Sequence, residues 1–321
     1  MEINILTSTD NNYVPHLFTQ LKSIADNLIA KYEVHFWFFH YRILKSDIEE
    51  LSAYADFLGI RFHEVFVFDF EDYNVLTKGV NHNFPIEAYF YFCAHKYLPE
   101  TMERALYIDA GDVIFAGDIE EYYFAPFEGN FFIASMAKSG RKELYCFDDL
   151  YDRDSFHDII WEYVNSGSIV LNLTLMRIFN IDLRFYENVI DFIIKNDFDF
   201  TPDYEGTRLF YCFDQGLFAA AFVGRIKFWE YEYFGYEGFH MPYNFRPFVF
   251  ERRRGILKLA EDGSVQLPYE PRIIHFLQAK PWTTSVKEYR TLLPLTRKYL
   301  DIFWKAEAEA KRWRREYSER A

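Results

Sequence analysis

The chain has 321 residues, half of them hydrophobic and 21% aromatic, enough apolar material for one large α/β domain with an appendage or for two domains. A formal net charge of -14 argues against nucleic acid as a partner, because phosphates would be repelled. Cys93, Cys146 and Cys212 fit no metal spacing and read as reduced thiols of an intracellular protein, with a cytoplasmic location expected.

Ile3 to Leu6 reads as a first strand, and with no basic n-region before it no signal peptide is expected. The segment Thr7-Ser8-Thr9-Asp10-Asn11-Asn12-Tyr13 closes that strand, and Pro15 to Leu28 has helical spacing. Val34 to Phe39 is a second strand, Ser46 to Phe57 a second helix, and Arg61 to Phe68 a third strand. Ile86 to Tyr97 reads as a helix that stops before Pro99.

Ala105 to Phe115 is the most informative stretch. An apolar run ends in Asp109-Ala110-Gly111-Asp112, and a second apolar run follows. In open α/β sheets, ligands bind at the carboxyl ends of strands, so Asp109 and Asp112 stand where a hard cation and a phosphate are expected. An Asx-type turn with both carboxylates solvated is the plain alternative.

Phe131 to Ser135 and Ser168 to Leu173 read as later strands, Tyr186 to Lys195 and Gln215 to Phe222 as helices. Strand–helix alternation argues for a mostly parallel sheet with helices on both faces. Lys138 to Phe156 is polar and charged, suiting a surface insertion or lid, and Trp229 to Phe250 is crowded with Tyr and Phe, suiting a sugar platform. From Tyr289 the chain reads as helix, with Leu300, Phe303 and Trp304 on one face, and then turns basic with interleaved aromatics from Lys305 to Arg315. Two readings stand for that end: an amphipathic tail on anionic lipid, or a solvated helix end favoured by the macrodipole. No apolar stretch is long enough to span a bilayer.

Five islands, in a fixed order from Met1 to Trp282, together resemble glycosyltransferase family 8. They are Thr7 to Tyr13 (similar to A-x-D-x-N-Y), Arg104 to Asp109 (r-v-l-Y-l-D-a-D), Asn165 to Leu173 (f-N-a-G-v-l-l-i-N-l), Phe213 to Leu217 (y-x-D-Q-d-a-l) and Ile273 to Trp282 (i-i-H-f-x-G-x-K-P-W). The resemblance implies the GT-A fold: α/β, a mixed, mostly parallel central sheet flanked by helices, with a transferase domain over 1–283 and a C-terminal helical tail over 284–321. It implies a retaining transfer of a hexose, glucose or galactose, from a UDP-sugar to a glycan or glycolipid acceptor, assisted by Mn²⁺ or Mg²⁺. A role in lipopolysaccharide or other surface polysaccharide assembly would follow, with peripheral membrane contact through the tail.

By the same resemblance, Asp109, Asp112 and His275 are the expected metal ligands. Thr7, Asp10, Asn12, Tyr13, Tyr91, Ile108, Gly167 and Lys280 are expected to hold the donor, with Asp10, Asn12 and Tyr13 against the base and Lys280 on the diphosphate. Asp214 is expected to hold sugar hydroxyls and Gln215 to face the anomeric carbon, with Asn165 in the loop beneath the sugar. Singly, each has a plainer reading: His275 as a core histidine, Lys280-Pro281-Trp282 as a turn, Asp214-Gln215 as a helix cap.

Three positions depart from the family pattern. Gly111 stands where the motif has its second Asp, displacing Asp112 by one residue to the opposite side of a regular strand. A glycine there permits a reversal that returns Asp112 to the site. Tyr91 matches the position of a donor-binding arginine, and Gln278 replaces the glycine beside the diphosphate. These departures motivate an alternative: a member that has lost its chemistry and serves as a glycan- or nucleotide-binding partner protein.

Overall fold

A computed structural model describes residues 1–77, 85–136, 164–195, 214–222, 224–229, 234–236, 258–259, 265–266, 271–276, 280–290 and 294–320. The chain opens β1 (Glu2–Ser8), α1 (Val14–Leu28), β2 (Glu33–His40), α2 (Lys45–Phe57) and β3 (Arg61–Phe66). Two 3-10 stretches follow, Phe70–Thr77 and Ile86–Lys96, then β4 (Arg104–Ile108), β5 (Val113–Phe115) and α3 (Glu120–Tyr123). Next come β6 (Phe132–Met136), β7 (Val164–Asn172), α4 (Leu173–Ile178), α5 (Leu183–Lys195) and α6 (Asp214–Ala221). The short strands β8 (Ile226–Trp229), β9 (Phe234–Tyr236), β10 (Lys258–Leu259), β11 (Val265–Gln266) and β12 (Ile273–His275) lead to α7 (Val286–Tyr289) and α8 (Pro294–Ser318).

The central sheet has seven strands in the order β3-β2-β1-β4-β7-β6-β8. Neighbours run parallel except at β7, which is antiparallel to both β4 and β6. One apolar layer packs α1 and α2 against one face, through Ile5, Phe36 and Ile108. The 3-10 stretches, α5 and α6 cover the other, through Leu6, Tyr107 and Leu171. Both faces of β4 are therefore buried, which is why it reads as an unbroken apolar run. A second, three-stranded sheet, β5-β12-β9, places His275 opposite Val113, just beyond the end of β4.

Two local expectations shift. The helix expected over Ile86 to Tyr97 is a 3-10 stretch broken at Cys93 (φ -121°, ψ 24°). Glu87 and Tyr89 through His95 are all buried, so packing all round, rather than propensity around one apolar face, sets the winding. β7 begins at Val164, four residues before the expected start, because the polar Asn165, Ser166 and Ser168 are buried in the sheet. The loop before β4 is stapled by Arg177, whose guanidinium donates to the carbonyls of His95, Leu98, Pro99, Glu100 and Met102 at 2.7–3.3 Å.

α8 docks on the body. Ala306 and Ala310 are buried, Lys22 pairs with Glu309 at 2.8 Å, and Arg314 forks onto Glu50 at 2.8 and 2.7 Å. The interleaved aromatics are packing groups: Trp313 lies 4.7 Å from the Tyr54 ring, and Trp304 donates to the Pro281 carbonyl at 3.2 Å. Lys305, Lys311, Arg312 and Arg315 face outward. Among the described residues no helix is long and apolar enough to cross a membrane. Lys138 to Phe156, most of Trp229 to Phe250, Gln278, Cys146 and Cys212 lie outside the described residues, and Cys93 is buried.

Candidate functional site

The site is built at the carboxyl end of β4. Thr7 Oγ1 donates to the Ile108 carbonyl at 2.7 Å and ties the ends of β1 and β4 together. Gln20, fully buried on α1, donates to the carbonyls of both Asp109 and Val113 at 2.8 Å and so clamps the turn between β4 and β5. Inside that turn Gly111 has φ 72°, a left-handed conformation that side chains other than glycine rarely adopt. A Cβ there would also sit 2.6 Å from His16 Cβ. The reversal returns Asp112 to the interior. Its carboxylate is buried and takes an ion pair from Lys280, whose ammonium also donates to the Phe276 carbonyl at 3.1 Å. Burial raises the Asp112 pKa despite Lys280 and His275. One of its oxygens, Oδ1, is buried without a partner among the described residues.

Asp109 and His275 meet in front of β7. His275 Nε2 lies 3.2 Å from Asp109 Oδ2, and its Nδ1 lies 3.0 Å from Asn165 Oδ1. The same Asn165 oxygen accepts the Gly167 amide at 3.0 Å, which fixes it as the oxygen and not the nitrogen of the amide. His275 Nδ1 must then carry the hydrogen, and its Nε2 faces the Asp109 carboxylate either through a proton or through a shared cation. That donor set, an imidazole oriented by an amide and aimed beside a carboxylate, fits a divalent cation. Burial alone would raise the Asp109 pKa. Hydrogen bonds from His275 and from the Tyr107 hydroxyl (2.9 Å), with the charge of Lys280, more than offset this and hold it low. Gly167 packs directly against this pair: a Cβ on it would lie 2.1 Å from His275 Cε1 and 2.9 Å from Asp109 Oδ2.

Across from this pair stands Asp214, the first residue of α6, buried to 6% exposure. Tyr91 donates to its Oδ2 at 3.2 Å. Burial, followed by the nearby charge of Asp109, pushes the Asp214 carboxyl up to about 8, so it is largely protonated at neutral pH in the free protein. Gln215 turns its carboxamide oxygen to Ser166, accepting from the backbone amide at 3.1 Å and the hydroxyl at 3.4 Å. α6 is thereby latched to the Asn165–Gly167 segment.

The first island lies beside these groups. Asp10 accepts from the backbone and side-chain amides of Asn12, both at 2.9 Å, in an Asx turn that leaves Asn12 exposed. The half-buried Tyr13 has its hydroxyl pKa raised by burial and then by Asp112, Asp10 and Asp109, which places the island next to the carboxylates. Its ring meets Trp282 edge-on at 5.7 Å, and His16 stacks on Trp282 at 3.7 Å.

Most expected site residues thus stand near one another. Tyr91, Thr7 and Ile108 have no exposed surface. Tyr91 holds Asp214, while Thr7 and Ile108 brace the strand ends. Asp112 is paired with Lys280, and among the described residues no group of three metal-type side chains stands together. Gln20, Tyr107 and Ser166 escape a reading from sequence. The only signal for them is polarity inside otherwise apolar runs, which for Ser166 in Asn165-Ser166-Gly167 is visible in the chain.

A family model described as glycosyl transferase family 8 matches residues 4–285. Among curated protein sequences none matches. Of solved structures, the galactosyltransferase LgtC in complex with donor and acceptor sugar analogs is similar at 16% identity and a TM-score of 0.63, covering 96% of each chain. The bifunctional glycosyltransferase WbbM is also 16% identical with a TM-score of 0.63, over 96% of this chain and 50% of that one. The glycosyltransferase GlyE of Streptococcus pneumoniae is 15% identical with a TM-score of 0.57, over 95% of this chain and 60% of that one. At these identities the structures share a fold, the GT-A arrangement of a mixed sheet between helices.

Proposed function

The chain belongs to glycosyltransferase family 8, and on that premise we propose that it is a retaining hexosyltransferase that moves glucose or galactose from a UDP-sugar to a glycan or glycolipid. The observation that carries this reading is the Asp109–His275–Asn165 chain of contacts at 3.2 and 3.0 Å, with Asp214 across from it. Asp109 and His275 would hold Mn²⁺ or Mg²⁺, which when bound supplies neutralising charge to the departing diphosphate. Lys280 supplies a second point charge for the phosphates once it leaves Asp112. Asp10, Asn12 and Tyr13 bind and orient the base. Asp214, once ionised, accepts from sugar hydroxyls. Gln215 and Ser166 fix the segment under the sugar, and the amide of Gln215 lends electrostatic support to front-face attack by the acceptor.

Similarity to a galactosyltransferase supports a hexose donor. The outward basic residues of α8, Lys305, Lys311, Arg312 and Arg315, support peripheral contact with an anionic, cytoplasmic membrane face where a glycolipid acceptor for surface polysaccharide would lie. A second reading, a binding partner without chemistry, draws on one observation: Lys280 is already neutralised by Asp112.

Thermal melting with UDP, with and without Mn²⁺, separates these readings when joined to an assay of UDP release from UDP-glucose and UDP-galactose. A ligand that binds only the native state raises the melting temperature by mass action. A rise that needs both UDP and metal, with slow sugar release into water, is expected. A rise without release would favour the binding partner, and no rise with either would refute the donor assignment.

A further inference from the structure

Tyr91 and Tyr107 form a stacked pair in the core, ring centroids 4.1 Å apart and planes at 21°. Neither ring is solvent-accessible beyond 2%. Each hydroxyl leaves the stack toward a different carboxylate of the site: Tyr107 donates to Asp109 Oδ1 at 2.9 Å, and Tyr91 to Asp214 Oδ2 at 3.2 Å. The rings are held by Phe92 and Phe218 on the Tyr91 side, at 4.8 and 5.4 Å. A hydroxyl on a ring that cannot turn is a fixed donor, and two such donors on one stack set the position of both carboxylates together.

We propose that Tyr91 is a positioning residue for the donor sugar: from its stack on Tyr107 it donates the hydrogen bond that fixes the Asp214 carboxyl in place. The inference rests on the proposed transferase reading of the site. It assigns to Tyr91 work done through Asp214, since the buried ring reaches no ligand itself.

The groups that face Asp214 decide the direction of its effect. Asp109 and Tyr107 face it from the end of β4, Tyr89 and Tyr91 from the 3-10 stretch, Ser166 from β7, and the Gln215 amide from its own helix. Burial and then Asp109 oppose ionisation, while Tyr91, the Gln215 amide and Ser166 favour it. Removing the Tyr91 hydroxyl takes away one of the donors that favour the charged form, so Asp214 ionises at higher pH.

The test is the pH profile of UDP release from UDP-glucose or UDP-galactose by wild type, Tyr91→Phe and Tyr91→Gln. Phenylalanine keeps the ring and its packing, and glutamine keeps a donor without the ring. For Tyr91→Phe the acid limb of kcat/KM, which reports the free enzyme, is expected to move up by about one pH unit, so that kcat/KM at pH 7 falls about ten-fold and recovers on the alkaline plateau. Tyr91→Gln should return the limb toward the wild-type position. A limb that does not move in Tyr91→Phe, or a rate depressed equally at every pH, overturns the positioning role while leaving the transferase reading intact. Equal displacement in both variants also overturns it, because the hydrogen bond would then not be the cause. No release by wild type from either sugar nucleotide refutes the transferase reading, and the positioning role falls with it.

Discussion

Gly167→Ala puts the proposed site to a sharp steric test. The glycine amide donates to Asn165 Oδ1 at 3.0 Å, and its carbonyl accepts the Asp109 amide at 3.1 Å, so its backbone is held on both sides. A methyl group there would lie 2.1 Å from His275 Cε1, 2.3 Å from His275 Nδ1 and 2.9 Å from Asp109 Oδ2. Carbon atoms at rest stay about 3.5–4.0 Å apart, so the imidazole must give way by about 1 Å or more. Moving it breaks the contact with Asn165 and opens the pair with Asp109. Overpacking of this kind costs about 1–3 kcal/mol. At about 2–4 °C per kcal/mol for a large domain, the melting temperature should drop by about 2–12 °C. The effect on turnover should be larger, since a misplacement of about 1 Å in a reacting constellation costs about 100-fold. UDP release and thermal melting with and without Mn²⁺ measure both. Gly129→Ala is the control: φ is 82° but no atom of the described residues lies within 4 Å of the added carbon, so it carries backbone strain alone and should leave turnover unchanged. Wild-type turnover and an undiminished Mn²⁺ response in Gly167→Ala would refute the placement of His275 against Asp109.

Three further outcomes are expected. The Asp214 carboxyl ionises near about 8 when folded but near 3.9 in an unfolded chain, so between those values the native state binds more protons and stability falls as pH rises from about 4 to about 8. Asp214→Asn should flatten that fall, with urea midpoints at pH 5 and pH 8 closer together than in wild type; an unchanged difference would remove Asp214 as its source. Lys280→Met strands the buried Asp112 without its counter-charge and should raise the KM for a UDP-sugar about ten-fold or more, measured by initial rates, whereas an unaltered KM would mean that Lys280 serves Asp112 alone. Arg177→Ala removes donors from the carbonyls of five residues around the loop before β4 and should cost about 2–4 kcal/mol in urea unfolding, with the UDP response of the folded protein retained.

Asp109 was readable in the chain because it ends an apolar run, and a buried strand end has little use for such a residue except at a site, whereas His275, Asn165 and Asp214 were legible through the resemblance to glycosyltransferase family 8. The order of elements from β1 to β4 was readable for the related reason that apolar period and turn residues agree there. What a sequence position does not carry is the direction in which a side chain leaves the backbone. Tyr91 stands where a resembling family has a donor-binding arginine, but an aromatic ring among Phe92, Tyr107 and Phe218 is drawn into the core, and only its hydroxyl remains available to the site. Asp112 shows the converse. Strand parity turns it away from Asp109, and one left-handed residue, Gly111, is enough to cancel that parity and bring it against Lys280. The C-terminal helix makes the same point at larger scale. Its interleaved Trp and Arg residues are compatible with a lipid surface, but Trp313 is satisfied by Tyr54, Trp304 by the Pro281 carbonyl, and Arg314 by Glu50 and the Phe18 ring. An amphipathic pattern states how much of a helix seeks cover, and the covering partner is set by tertiary geometry. Here the partners on the body take the aromatic face and leave the basic residues outward. Membrane contact, if the outward charges make it, is therefore electrostatic and should weaken as salt rises.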